Sequence, residues 1–429
     1  MKHYEYEEAV SYILKIPRFL SKNKMEDTKA FLQWVKPIDR GEKVFHIAGT
    51  NGKGSVCSFI GSLSRNLGAS CGMFTSPHLV DIRERIKIDG KSISKEEFLA
   101  AFEHIMHLLA GFNEEVERDY HPSFFEFLFF MAVYIFDQNK VDTAIYEVGL
   151  GGMLDATNSL YRTDISVITA IGMDHMEYLG SDLESIAGQK AGIIRENTPV
   201  VYLGNQSYSH VIENEADRKN STKLAVVSPK LQDVKLKDKM IDFCYESSYY
   251  SSVTLQCLTR ARYQGINASL ALRAMETVYG SRLTPDIMRR GIAEMNWPGR
   301  MQEMEEGIVV DGGHNVEGIE AFLDSVSYDG CPGQRYLIYS GVSDKQIDKI
   351  GCLIEKSGLF DRIAVCGISS ARGLSPKVLA GYFEDAAAYG NVREAMADIK
   401  AAMQPTDRLY ICGSLYLVGE VEAIYGFDS

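Results

Sequence analysis

VFHIAGTNGKGS, residues 44–55, is the stretch on which the reading of this chain turns. An apolar run of the β type feeds a glycine-rich turn that carries a lysine, and a helical pattern begins at once. Gly49, Gly52 and Gly54, with Thr50 and Asn51 between the first two, let the backbone turn tightly and aim its N–H groups at an anion. Lys53 adds a point charge and Ser55 a hydroxyl suited to Mg²⁺. The segment reads as a cradle for nucleotide phosphates. Its spacing departs from the ordinary P-loop, because Gly54 separates the lysine from the serine and Gly49 lies close before Gly52.

Outward from this loop, short apolar runs alternate with helical patterns. Strands are expected at 44–48, 70–75, 143–148 and 164–171, and helices at 53–67, 94–110 and 123–139. Such alternation argues for a parallel sheet covered on both faces. Three strand ends run into glycine, in AGTNG, EVGLGG and TAIGMDH, and ligands of open α/β sheets lie at the carboxyl ends of strands, so these loops are expected to share one crevice. From 200 to 255 the pattern weakens into short polar, antiparallel pieces, and helices return at 264–279 and 284–295. Trp297-Pro298-Gly299 breaks the pattern. A second alternation follows, with strands near 307–311, 335–340, 361–366 and 407–412. The expectation is therefore an α/β protein of two domains: a P-loop ATPase domain with a mostly parallel sheet over residues 1–298, and a smaller Rossmann-like α/β domain over 299–429.

Composition agrees with two globular domains in 429 residues, at 45% apolar and 24% charged. A net charge of −13 argues against general attraction to nucleic acid or an anionic membrane, so positive potential has to be built locally. The N-terminal MKHYEYEEAVSYILKI mixes acids into a helical pattern and lacks a signal-peptide core. The apolar segment 124–136 is too short to cross a membrane and contains Glu126; Ser123 and Glu126 form a capping-box pattern at its start. Eight cysteines without a CxxC pair suit free thiols in a reducing cytoplasm.

Two residues carry chemistry by position. Glu147 ends a nearly all-apolar strand, where a carboxylate is costly unless paired or metal-bound, and so reads as a Mg²⁺ ligand. The glycines after it, Gly149, Gly151 and Gly152, read as places where backbone closely approaches a ligand. His175 lies in the third strand-end loop and is a candidate further ligand. His104 and His107, three apart on a helix with no carboxylate partner, read as structural.

GTNGKGS resembles the ATP loop of the Mur ligase superfamily, and HIAGTNGKGS its folate branch, the folylpolyglutamate and dihydrofolate synthases. The likeness extends from KMEDTKAFLQWV (24–35) to GSLYLVGE (413–420). It implies that Ser76 of TSPHLVDIRERI, with Ser55, Glu147 and His175, binds Mg²⁺ in what is expected to be a pair of sites. Lys190 of AGQKAGII would carry a carbamate, with an unmodified lysine as the alternative. Asn267 of RYQGINA would contact ATP, and Tyr263 stands where relatives often have histidine. Arg300 of WPGRMQ would reach the ATP phosphates from the hinge. In VVDGGHN, Asp311 would meet the nucleoside and His314 the transferring phosphate. Gly151, Gly152 and Asp155 lie in a loop on the folate side, where many relatives have arginine in place of Met153.

The resemblance implies an ATP-dependent amide ligase. A substrate carboxylate is phosphorylated, and L-glutamate attacks the acyl phosphate, with Lys53, Lys190, Arg300 and His314 as the catalytic set. The acceptor would be a reduced folate or dihydropteroate, and the enzyme a cytoplasmic monomer with no nucleic-acid or membrane partner. Met153 and the KNKMEDTK segment (22–29) favour extension of a reduced folate. Alternatives are a Mur-type ligase acting on a cell-wall nucleotide precursor, against which the TSPHL stretch argues, and a nucleotide-binding protein without turnover.

Overall fold

A computed structural model describes residues 4–17, 23–36, 39–117, 119–227, 235–237 and 239–426. Residues 1–3 of the N-terminal segment and Lys22 of KNKMEDTK, on which sequence readings also rest, lie outside this set. Seventeen strands are described. They are β1 Lys43–Ala48, β2 Cys71–Phe74, β3 Ile86–Ile88, β4 Lys91–Ser92, β5 Thr143–Glu147, β6 Ile165–Ile168, β7 Val200–Leu203, β8 Lys223–Val226, β9 Lys235–Lys237, β10 Met240–Ser247, β11 Ser251–Cys257, β12 Gln302–Glu305, β13 Ile308–Val310, β14 Arg335–Tyr339, β15 Arg362–Cys366, β16 Ala386–Tyr389 and β17 Arg408–Cys412.

Eight of them form a sheet in the order β4-β3-β2-β5-β1-β6-β7-β8, parallel from β2 to β8, with β3 and β4 antiparallel at one edge. β1 and β5 are buried almost throughout, as strands covered on both faces must be. One face packs on helices Tyr6–Lys15, Met25–Val35, Lys95–Val116 and Phe124–Asn139, through an aromatic core containing Phe31, Phe102, Phe127 and Phe130. The other packs on Lys53–Asn66, Gln264–Tyr279 and Pro285–Ala293. The Phe124–Asn139 helix starts at the expected capping box: Ser123 Oγ accepts from Glu126 N and Glu126 Oε2 from Ser123 N. A six-stranded sheet, β12-β13-β17-β14-β15-β16, is parallel apart from β12 and is also packed on both faces. The molecule is thus mixed α/β, with a large mostly parallel sheet and a second α/β sheet unit toward the C-terminus.

Two expectations need correction. The stretch 200–226 is not a set of antiparallel pieces: β7, the helix Ser209–Arg218 and β8 continue the parallel sheet, and among the described residues from 200 to 257 only β9, β10 and β11 are antiparallel. β8 is an edge strand with exposed Lys223, which is why its apolar signal is weak. The helix expected to stop near 110 runs to Val116, because Gly111 is a packing site against Trp34 and not a terminator. Strands β3, β4, β12 and β16 are short edge or near-edge pieces without a strong pattern.

The segment 259–263, which precedes the Gln264–Tyr279 helix, docks on the second sheet unit. Ala261 lies in that unit's core. Arg260 and Arg408 both pair with the buried Asp329, which also accepts from Tyr410 OH at 2.8 Å. Buried Arg262 pairs with Asp324 at 2.9 Å and lies over the Tyr328 ring.

Candidate active site

Neighbouring β2, β5, β1 and β6 end side by side, and the loops after them meet. Gly52 has φ +90° and ends the turn after β1; a Cβ there would overlap the Asn267 amide, so the glycine both makes the turn and admits Asn267. Lys53 Nζ donates to the carbonyls of Gly49 and Thr50 at 3.1 and 3.2 Å and stands 3.9 Å from Glu147 Oε1. Glu147 Oε2 accepts from Ser76 N at 3.1 Å. The β6 loop closes over the turn: Thr50 N and Asn51 N donate to Ala170 O, and Thr169 Oγ1 donates to Asn51 O at 2.8 Å. From the helix Leu183–Ala191, Lys190 Nζ reaches Gly49 O at 2.9 Å. On the other side, Ser55 Oγ accepts from Gln264 Nε2 at 3.1 Å, and Asn267 Nδ2 donates to Gln264 Oε1 at 2.8 Å.

Burial governs the protonation of this cluster. It raises the Glu147 carboxyl to about 6 in spite of Lys53, Ser76 and Arg300, which pull the other way. Burial, with Lys53 adding to it, lowers the Lys190 ammonium to about 7, so the amine is poised between charged and neutral near neutrality. Desolvation by its neighbours lowers His175 to about 4 even though its side chain is 38% exposed, which favours the neutral imidazole.

The second sheet unit brings its own strand-end residues to the same place. Asn315, which caps the helix Val316–Tyr328, exchanges two hydrogen bonds with Asn51, at 3.0 and 3.1 Å. His314 Nδ1 donates to Gly312 O at 2.8 Å, which leaves Nε2 facing Asp174 Oδ2 at 3.6 Å. Asp174 also pairs with Lys345 and accepts from Asn315 Nδ2 at 3.3 Å. Burial would raise the Asp174 carboxyl, but the neighbouring His314 and the Lys345 charge hold it far below the usual range. Asp311 is buried, its carboxylate accepting from Tyr263 OH at 2.6 Å, Met301 N at 3.0 Å and Gly313 N at 2.7 Å. Arg300 Nη1 donates to Gly299 O at 2.8 Å beside Gly312.

Sequence reading missed Asp174, Gln264 and Asn315. Asp174 and Asn315 each adjoin a histidine that was singled out, and Gln264 lies in the same segment as Asn267, so proximity was the available signal. In the loop after Glu147, a Cβ on Gly149 would strike the Phe125 ring and one on Gly152 would lie 2.6 Å from Gln189 O, so these glycines make room for neighbouring protein. Asp155 is buried and turned into its own loop, accepting from Gly149 N, Leu150 N and Thr157 N, each at 3.0 Å. Met153 is half exposed, with its backbone N–H on Gln189 O at 2.8 Å. His104 stacks on Tyr134. All eight cysteines are free, and among the described residues no helix is long and apolar enough to cross a membrane.

A P-loop on a parallel sheet, faced by a second α/β unit whose strand ends close on it, defines an ATP-dependent ligase of the Mur type. Residues 127–275 match the Mur ligase middle domain and 299–415 the Mur ligase glutamate ligase domain. Within that class the chain belongs to the folylpolyglutamate synthase/dihydrofolate synthase family. It is 31% identical over 351 residues to the Bacillus subtilis dihydrofolate synthase/folylpolyglutamate synthase, covering 79% of this chain and 80% of that one. It is 29% identical over 380 residues to the Escherichia coli enzyme, covering 88% and 85%. A Mycobacterium tuberculosis folylpolyglutamate synthase solved with ADP and AMPPCP superposes with a TM-score of 0.88 at 28% identity, over 99% of this chain and 98% of that one.

Proposed function

We propose that this ligase joins L-glutamate to the carboxylate of a reduced folate, with dihydropteroate as a second acceptor. The observation that carries this reading is the convergence of Lys53, Lys190 and Glu147 on the loop 49–55, closed from the second unit by Asn315 and His314. Relatives solved with DHPP and ADP, and with AMPPCP and folate, support the acceptor class. Units 1–298 and 299–429 form the two walls, with 259–263 docked across them. The loop N–H groups and Lys53 bind the ATP phosphates, Asn267 and Asp311 hold the nucleotide side, and Arg300 adds a fixed guanidinium against the charge that builds on the transferring phosphoryl group. Phosphorylation turns a poor electrophile into an acyl phosphate, and the glutamate amine displaces phosphate. His314, its Nδ1–H held by Gly312, presents Nε2 to this region.

The residues present suit Mg²⁺. Among the described residues no three His, Cys, Asp or Glu side chains form a metal cage, and Mg²⁺ in phosphoryl-transfer sites commonly takes only one or two carboxylates, with phosphates and water completing its shell. Glu147, the Ser55 and Ser76 hydroxyls and neutral His175 would hold it. When bound, Mg²⁺ supplies charge that neutralises phosphate oxygens. Lys190 has the buried amine that carbamate formation requires: neutral Nζ bonds to the carbon of CO₂ and loses a proton, giving a carboxylate beside Gly49.

Mass analysis of products after incubation with ATP, Mg²⁺, glutamate and each acceptor in turn tests the reading. A mass increase of one glutamyl residue, dependent on both ATP and the acceptor, is expected; phosphate release with no glutamylated product from either acceptor would overturn it. Comparing kcat/KM for the two acceptors orders them. A clear preference for dihydropteroate would reverse the order argued from Met153.

A further inference from the structure

Gly54 is the residue that separates lysine from serine in this loop, and the linker between the two units accounts for it. A Cβ on Gly54 would lie 2.5 Å from Cζ2 and 2.8 Å from Cε2 of Trp297, so the glycine makes room for the indole. One turn further along the same helix, Ser58 Oγ donates to Asn296 O at 2.9 Å. Lys87 Nζ stands 5.4 Å from the centre of the indole ring. Trp297 is partly buried against the core beneath the loop. Two residues on, Gly299 has φ +68°, and its carbonyl accepts from Gly312 N and Arg300 Nη1, both at 2.8 Å. Within five residues the linker therefore grips the P-loop helix at one end and the second unit's first strand-end turn at the other.

Lys53, Gly54 and Ser55 are the first residues of a continuous helix, so a shift of Gly54 carries the lysine and serine side chains with it. We propose that Trp297 is a positioning residue for phosphoryl transfer: its indole, seated on Gly54, sets Lys53 and Ser55 in register with Arg300 across the linker. This rests on the loop being the ATP site. The glycine is then a recess for the linker tryptophan, and the altered spacing of the motif is the mark of that contact.

A compensation experiment tests it. Gly54→Ala places a methyl group into the indole and is expected to lower kcat/KM for ATP about a hundredfold, the size of effect that a misplacement of about 1 Å produces. Trp297→Ala should lower kcat and raise the KM for ATP while leaving the KM for glutamate unchanged; Trp297→Phe should retain most of the activity. In Gly54→Ala/Trp297→Ala the methyl group has room, and at least about tenfold of the Gly54→Ala loss should return. Wild-type activity in Gly54→Ala, or a double variant no better than Gly54→Ala, would overturn the proposal. So would a Trp297→Ala protein with a lower melting temperature but unchanged kinetic constants.

If the double variant does not fold, the chain's having only two tryptophans offers another readout. Trp34→Phe leaves Trp297 alone, and its emission should change on titration with Mg·ATP and saturate with calorimetric binding. Constant emission while calorimetry shows ATP bound would overturn the contact. Absence of ATP binding to the wild-type protein would instead sink the ATP-site reading on which it rests.

Discussion

Lys190 and Lys53 both donate to Gly49 O, which places two lysine side chains on one backbone carbonyl. The unfolded chain holds the Lys190 proton up to about 10.5, whereas the folded chain releases it above about 7. Between these values the unfolded state binds more protons, so the Lys190 contribution to stability rises with pH across that window. In CO₂-free buffer, Lys190→Met should therefore be more stable than wild type near neutrality, with the gap closing as pH approaches about 10; urea unfolding at several pH values reads this, and a pH-independent gap would contradict it. Lys190→Ala should lose activity and recover part of it with added acetate, which can stand in for the proposed carbamate. On the proposed reading Lys53 serves the ATP phosphates. Lys53→Ala is expected to keep its circular dichroism spectrum while losing roughly 3–4 kcal/mol of transition-state stabilisation, read from kcat/KM.

At the scale of elements, the loop 148–158 is held by one carboxylate. Asp155 caps the short 3₁₀ helix Ala156–Ser159, and Thr157, to which it bonds, also bonds His46 Nε2 at 2.8 Å in β1. Asp155→Ala leaves buried N–H groups without an acceptor and should destabilise the protein by about 2–3 kcal/mol, measured by denaturant unfolding. An unchanged midpoint with a raised acceptor KM would instead point to a substrate contact. The glycines and Asp155 of this loop show where sequence reading stops. That a carboxylate and three glycines follow a buried strand is visible in the letters, but whether they face a ligand or the backbone of a neighbouring helix depends on Gln189, which lies far along the chain. The P-loop, Glu147 and the strand-end crevice were legible because local pattern and strand direction fix them. Asp174 was not, since its meaning arises from a pairing with a residue 171 positions away.

Over the whole molecule, the two units meet along two seams of different character. At one seam, Asp174 meets Lys345, His314 and Asn315, and Asn315 pairs with Asn51. Asn51→Ala should leave each unit folded and lower kcat, because it removes two hydrogen bonds that join the loop to the second unit. Each such bond contributes about 1 kcal/mol, so a loss of about tenfold to thirtyfold in single-turnover rate is expected, and an unaltered rate would show that the contact has no bearing on the chemical step. The other seam is buried: Arg260, Arg408 and Tyr410 surround Asp329, and Ala261 fills the second unit's core.

That second seam decides how the protein can be recombined. Exchanging residues 299–429 for the matching part of a relative looks natural from the position of the Trp297-Pro298-Gly299 break. Yet the transplanted half would arrive without the five residues 259–263 that complete its core. A chimera crossed over at 298 alone should express as aggregate or melt well below either parent, whereas one that also carries the donor's 259–263 should fold and turn over. For anyone wishing to graft one acceptor specificity onto another catalytic half, the transferable piece is discontinuous in sequence and continuous only in space.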